Sequence, residues 1–382
     1  MTGDRVKHRP QLFDTFRLGS FTLKNRAALA PMTRARARNN IPDLNTARYY
    51  AQRAGAGLLI TEGTIVSPQA SGFIDCPGIW SQEQVVGWSR VTRDVHDQGA
   101  AIFTQLWHVG RVSHTSVQPE GQAPVSSTAR PAATSSAYVY NEHGVPGFVR
   151  VSTPQALTIS EIAQVVQDFA QAAENAVEAG FDGVEIHGAN GYLVEQFLNG
   201  AVNDRTDRYG SQNIGNRMRF ALEVVDACIA RIGASRVGIR LSPFGRLHDL
   251  EDFDGEAETF LTLGQELAKR GVIFVHIMDQ ASRGAAAMPP GFLREFRKTF
   301  DGALILAGGL DLERANRALA EGLIDIAAFG APFTSNPDLV ERYRNGWPLR
   351  PVEPDRYYGG DARGYTDYTA YSPTGHHGEA KP

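Results

Sequence analysis

Short apolar runs alternate along the chain with longer segments in which apolar residues return every three or four positions. The short runs, rich in Val, Ile, Leu and Ala, are 26–32, 57–66, 101–107, 183–187, 237–241, 272–277, 303–307 and 325–329. The amphipathic segments are 45–53, 82–97, 161–179, 216–231, 256–270, 291–299, 312–321 and 337–345. In the third of these, Ile162, Val165, Val166, Phe169, Ala173, Ala176 and Val177 fall on one helical face. Thr158 with Glu161 reads as a capping box at its start and Gly180 as its stop, and Ser81 with Gln84 repeats the box one helix earlier. Runs that are apolar without alternation fit strands covered on both faces. Strand and helix in strict alternation predict a parallel sheet with crossover helices, and eight repeats predict an α/β fold closed into a (β/α)8 TIM barrel.

Two stretches and the tail lie outside the repeat. Residues 10–25 (QLFDTFRLGSFTLKNR) read as an N-terminal β-hairpin capping the barrel bottom. Residues 111–158, rich in Ser, Pro, Ala and Gly, form an insertion after strand 3, on the face where such barrels carry their sites. The tail from Trp347 is rich in Gly and Tyr, and its last ten residues are expected to be disordered. These divisions predict one unit over 1–382, with a core at about 26–346, the insertion 111–158 and the tail 347–382.

Composition narrows the function. A net charge of −4 with 21% charged residues gives no electrostatic pull toward nucleic acid or an anionic membrane. Two cysteines, Cys76 and Cys228, exclude a disulfide scaffold and a cysteine-rich metal site. No apolar run approaches the ~18 residues of a membrane span, and no secretory h-region is seen. The expectation is a cytoplasmic protein, monomer or homodimer, acting on a small molecule.

In this fold the chemistry collects at strand C-termini. Those ends carry Thr33, Glu62 with Gly63, Gln105 to His108, His187 to Tyr192, Arg240, Gly308 with Gly309, and Gly330 with Ala331. Strand parity turns Glu185 and His187 inward and Val184 and Ile186 toward the helices. A lone His is more often a packed core residue than a ligand, by about two to one. Here Asn190 follows three residues on, expected on the same side of a helical turn, and Tyr192 lies within reach. His and Asn offer two neutral donors to a carbonyl or nitro oxygen, and Tyr offers a proton. Parity also puts Arg240 inside, facing an anionic or carbonyl ligand or else paired with Glu185. The paired glycines are either plain turns or an anion cradle.

With APMTRARA, QLWHVGR, HGANGYLVEQFLN, NDRTDRYGS, VGIRLSP, NPDLVERYRNGWPL and YYGGDARGYTDY in order, the chain resembles the Old Yellow Enzyme family, the FMN-dependent ene-reductases. The resemblance runs nearly end to end. It implies non-covalent FMN and NADPH or NADH as reductant. It implies that Pro31, Met32 and Thr33 run along the flavin, with Gly63 a further contact and Gln105 at its pyrimidine edge. Arg240 would face N1 and C2=O, and Gly308, Gly309, Gly330 and Ala331 the phosphate. His187 and Asn190 would bind the oxygen that activates the substrate alkene, with His187 also against the flavin. Tyr192 would be the proton donor, and Phe73, Trp107 and Tyr358 would line the substrate pocket. No metal is implied.

Three positions depart from the family pattern. Ala331 stands where an Arg usually serves the phosphate, a loss worth about 1.5–3 kcal/mol, or roughly ten- to hundredfold in affinity. Phe73 replaces a common Tyr, and His248 lies near a position often held by Gln. Four rival readings meet obstacles. A Schiff-base aldolase lacks a Lys at a strand end, and a metal hydrolase lacks clustered His ligands. A flavin-barrel oxidase or hydroxy-acid dehydrogenase, or a non-catalytic binding barrel, fits the His187, Asn190, Tyr192 trio less well.

Overall fold

The computed structural model describes residues 9–285 and 287–373. The hairpin strands β1 (Phe16–Leu18) and β2 (Phe21–Leu23) come first. The next three strands are β3 (Ala27–Leu29), β4 (Leu58–Ile65) and β5 (Ala101–Trp107). The insertion holds β6 (Val125–Ser126), β7 (Ser136–Tyr140), β8 (Pro146–Arg150) and β9 (Gln155–Ala156). The last five are β10 (Gly183–Gly188), β11 (Val237–Leu241), β12 (Phe274–Met278), β13 (Ala303–Ala307) and β14 (Ile326–Phe329). Among the described residues β3, β4, β5 and β10–β14 close into a parallel barrel in chain order. This is the predicted (β/α)8 architecture.

The helices are α1 (Leu44–Gln52), α2 (Gln82–His96), α3 (Ile159–Glu178), α4 (Leu193–Leu198) and α5 (Ile214–Ile232). They continue with α6 (Glu256–Lys269), α7 (Phe292–Thr299), α8 (Leu312–Ala320), α9 (Ala331–Ser335) and α10 (Leu339–Asn345). The capping boxes at Ser81 and Thr158 form as expected, and α3 buries Ile162, Val165, Val166, Phe169, Ala173 and Ala176 against the barrel. The short α4 and α9 had no periodic signal because each covers fewer than two turns.

The first strand is shorter than the predicted 26–32. Pairing stops at Leu29, and Ala30 to Thr33 leave the sheet to line the mouth. The buried Glu62 carboxylate fixes that departure by accepting the backbone N–H of Arg34 at 2.9 Å and of Ala35 at 3.3 Å.

The hairpin closes the bottom as predicted. Leu18 and Leu23 are buried in a cluster with Leu58, Ile60, Phe103 and Phe274. The insertion is not formless: β7 and β8 pair antiparallel, and the Tyr138 carbonyl accepts the Ile74 N–H at 2.8 Å. The tail is bound to the barrel as far as it is described. Arg36 donates to the carbonyls of Tyr357 (2.8 Å), Arg356 (3.1 Å), Asp361 and Arg363 (both 3.2 Å). The expectation of disorder over the last ten residues falls, from 374 on, outside the described residues.

Candidate active site

The C-terminal mouth of the barrel opens into a cavity of about 610 Å³, within the range of cofactor and ligand sites. The residues to which the family resemblance gave a role meet on its wall: Pro31, Met32, Thr33, Gly63, Phe73, Gln105, Trp107, His187, Asn190, Tyr192, Arg240, Gly308, Gly309, Gly330, Ala331 and Tyr358; Glu62, His108, Glu185 and His248, also singled out from the sequence, do not line it.

The floor is a polar layer set by strand register. Glu185 stands beside Gln105 on one side, and His187 stands beside Arg240 on the other. Gln105 Nε2 donates to Glu185 Oε1 at 2.7 Å, and His276 Nδ1 meets Glu185 Oε2 at 2.7 Å. With its carboxylate held by these two, Glu185 is not the hydrogen-bonded partner of Arg240. Arg240 is buried, and its one Nη2 contact is Met278 Sδ at 3.3 Å. Its Nε has no hydrogen-bond partner among the described residues. Burial pulls its pKa down to about 10, so it remains charged at neutral pH. A buried cation with an unfilled donor is a costly arrangement unless a ligand supplies the acceptor. Such a donor suits the electron-rich edge of a flavin, where charge gathers on reduction.

His187 and Asn190 meet above this layer, but not through the helical turn that their spacing suggested. β10 ends at Gly188, α4 begins at Leu193, and Asn190 adopts φ +59°, the left-handed region. That conformation is uncommon for a residue with a side chain, though Asn tolerates it best. It is held in place: the Asn190 N–H donates to Ser242 Oγ at 2.8 Å, Ser242 Oγ donates to Glu195 Oε1 at 2.6 Å, and Glu195 Oε2 accepts the Gly191 N–H at 2.6 Å. Gly191 needs its missing side chain, because a Cβ there would lie 2.3 Å from the Leu247 carbonyl oxygen.

The protonation pattern follows from these contacts. His187 Nδ1 accepts from the Ala189 N–H at 3.4 Å, which leaves the ring proton on Nε2. Burial, reinforced by Arg240, pushes the His187 pKa well below 6.5, so the ring is a neutral donor. Asn190 Oδ1 accepts from Gln280 Nε2 at 3.2 Å, which leaves the Asn190 amide N–H groups to donate. The Tyr192 ring lies 5.0 Å from both His187 and Trp107, edge-on to each, and 5.1 Å from His248. Burial raises the Tyr192 pKa, so its phenol keeps its proton.

The apolar wall is Trp107 against Phe73, with ring centroids 5.6 Å apart. Tyr358 reaches the mouth from the tail and packs at 5.7 Å against both Tyr138 and Phe148 of the β7–β8 hairpin. At the other end Gly308 takes φ +129°, and a Cβ on it would lie 2.3 Å from the Asp279 carbonyl oxygen. Only glycine lets that turn pack against the loop after β12.

Sequence reasoning missed His276, Met278, Arg283 and Tyr357. His276 and Met278 carry the inward parity of β12, a signal that was available. Arg283 lies on the turn after β12 and Tyr357 in the tail, where no periodicity points a side chain. Among the described residues Arg240 and Arg283 are the charged groups on the cavity wall, and no carboxylate lines it.

A parallel barrel whose mouth combines a buried arginine with an unpaired donor, glycine turns and neutral donors has the chemistry to hold a flavin. Residues 11–350 match the NADH:flavin oxidoreductase / NADH oxidase family. The chain is 44% identical over 363 residues to 12-oxophytodienoate reductase 1 of Oryza sativa subsp. japonica, covering 94% of this chain and 92% of that protein. It is 41% identical over 378 residues to 12-oxophytodienoate reductase 2 of Arabidopsis thaliana, covering 98% and 99%. The structure of morphinone reductase superposes with a TM-score of 0.94 at 44% identity, covering 96% of this chain and 98% of that one. The Old Yellow Enzyme homologue from Zymomonas mobilis gives 0.89 at 38% identity, covering 95% and 100%. The chain belongs to the Old Yellow Enzyme family, and it is an FMN-dependent, NAD(P)H-using ene-reductase.

Proposed function

We propose that the cavity reduces an alkene conjugated to a carbonyl or nitro group, and that the residues gathered there divide the work as follows. Bound FMN supplies the hydride carrier between NAD(P)H and the alkene. Arg240 and Gln105 would hold its pyrimidine edge, with Arg240 offering its unpaired donor to the side where negative charge collects. Pro31, Met32, Thr33 and Gly63 would line its flank, His187 would also border it, and backbone at Gly308, Gly309, Gly330 and Ala331 would receive the phosphate. Substrate lies between Phe73, Trp107 and Tyr358. His187 Nε2–H and the Asn190 side-chain Nδ2–H donate to the activating oxygen and stabilise the enolate that forms as the β-carbon accepts hydride. Tyr192 O–H protonates the α-carbon as general acid.

The observation that carries this reading is the pair of uncommitted neutral donors on His187 and Asn190, beside a phenol that burial keeps protonated. The relatives named for reduction of 12-oxophytodienoate and morphinone support it. The same reading takes 1–382 as one working unit, monomer or homodimer. Two buried free cysteines support a reducing compartment such as the cytoplasm. Among the described residues no helix is long and apolar enough to cross a membrane.

The test is spectroscopic. Protein incubated with FMN and desalted should retain an oxidised-flavin spectrum, bleach anaerobically with NADPH or NADH, and recover its colour on adding 2-cyclohexenone, with cyclohexanone as product. Protein that stays colourless, or bleached flavin that the enone leaves bleached, would overturn the assignment.

A further inference from the structure

A second hollow, of about 590 Å³, adjoins the catalytic cavity, and Tyr358 lines both. One wall comes from the segment after β3 and the other from the tail. Arg36, Arg38, Arg356 and Arg363 line it against Asp355 and Asp361, so it is electropositive in a chain of net charge −4. The Arg36 guanidinium is hydrogen-bonded to backbone carbonyls and, among the described residues, makes no ion pair. Arg356 shares its charge with Glu353 at 3.2 Å. Arg38 and Arg363 are exposed and, among the described residues, make no ion pair.

We propose that this hollow binds the phosphates of the nicotinamide dinucleotide while the nicotinamide ring occupies the catalytic cavity. The inference rests on the reaction assigned above. The reductant has two chemically different ends, a flat ring that must reach His187 and Asn190 and a phosphate-bearing end too large to follow it. The phosphates have to leave by the mouth, and past Tyr358 they meet the exposed guanidinium groups of Arg38 and Arg363. Arginine is suited to this because its planar fork matches phosphate oxygens. Exposed cations at a site's rim raise the on-rate and sharpen selection of an anionic partner. The small enone needs none of this surface, so the hollow distinguishes the two substrates that share one cavity.

The test uses the full-length FMN-loaded enzyme and the double variant Arg38→Ala with Arg363→Ala. Anaerobic stopped-flow bleaching gives the apparent Kd and limiting rate for NADPH, NADH and 1-benzyl-1,4-dihydronicotinamide, which carries the ring and no phosphate. The dinucleotide Kd should rise about five- to twentyfold in the double variant, as for two exposed charge contacts. The limiting rate, the Kd of the phosphate-free benzyl analogue and the KM for 2-cyclohexenone should hold. Added salt should narrow the difference between variant and parent. A larger loss for NADPH than for NADH places the 2′-phosphate in the hollow, and equal losses place the pyrophosphate there; both support the proposal. A dinucleotide Kd that moves less than about twofold overturns it. So does an equal loss for the phosphate-free benzyl analogue, or an effect confined to the enone. A parent flavoprotein that no nicotinamide reduces would overturn the assigned reaction and this inference together, whereas unchanged constants in a reducible protein overturn the inference alone.

Discussion

Arg53 and Arg240 are both buried, and burial lowers the pKa of each to about 10, yet their surroundings are opposite. Every guanidinium nitrogen of Arg53 is used, on the carbonyls of Phe333, Tyr49 and Thr334, all at 2.9 Å, with Tyr365 at 3.4 Å. Its plane also covers the Tyr49 ring at 3.6 Å. Arg240 has a thioether and an unfilled Nε. A saturated buried cation is a structural tie, here joining α1, α9 and the tail. An unsaturated one is held ready for something outside the chain, because leaving a buried donor unpaired costs free energy that folding alone does not return.

That contrast can be broken at both ends. The largest expected effect on stability is Arg53→Ala, which strands several buried carbonyls and leaves a void. It should lower unfolding free energy by about 3–5 kcal/mol in chemical denaturation. A loss under about 1 kcal/mol would mean that the tie is dispensable. On activity, Tyr192→Phe should slow alkene reduction by about a hundredfold or more while flavin bleaching by NAD(P)H persists. Equal turnover would remove Tyr192 as the proton donor. Arg240→Met should weaken FMN binding roughly ten- to hundredfold by fluorescence titration. The melting temperature of the FMN-free protein should not fall, because a buried charge with few contacts gives little stability.

The smallest effect concerns pH. Burial raises the Glu195 pKa from 4.5 to about 8. A carboxyl raised in the folded state favours folding while protonated, so its contribution fades as pH rises from about 4.5 through 8. Glu195→Gln should flatten the fall in stability over that window, by on the order of a few kcal/mol at most. An unchanged slope would show that Glu195 titrates normally.

The barrel and most of the mouth were legible because they follow periods. Inward and outward residues alternate along a strand, so Glu185, His187 and Arg240 could be assigned to the interior from parity alone. The Thr158 and Ser81 boxes marked helix starts because their hydrogen bonds span three residues. Asn190 shows the limit. Its spacing from His187 suggested one helical face, and the two do meet, but through a left-handed turn braced by Ser242 and Glu195 from a neighbouring strand and the following helix. The partnership of Arg240 stayed open for a similar reason, since Glu185 serves Gln105 and His276 from strands distant in sequence.

The order of strands and helices, the hairpin plug, the glycine turns and the inward-facing chemistry were determined by the amino-acid sequence, because each depends on contacts within a few residues or on a repeating period. Tertiary structure decided which of two buried arginines is satisfied, and that Arg36 ties a tail more than 300 positions away to the barrel rim. It also decided that Tyr358 stands between two pockets. These features turn on where backbone carbonyls and side chains from remote segments converge, and no local pattern records that convergence.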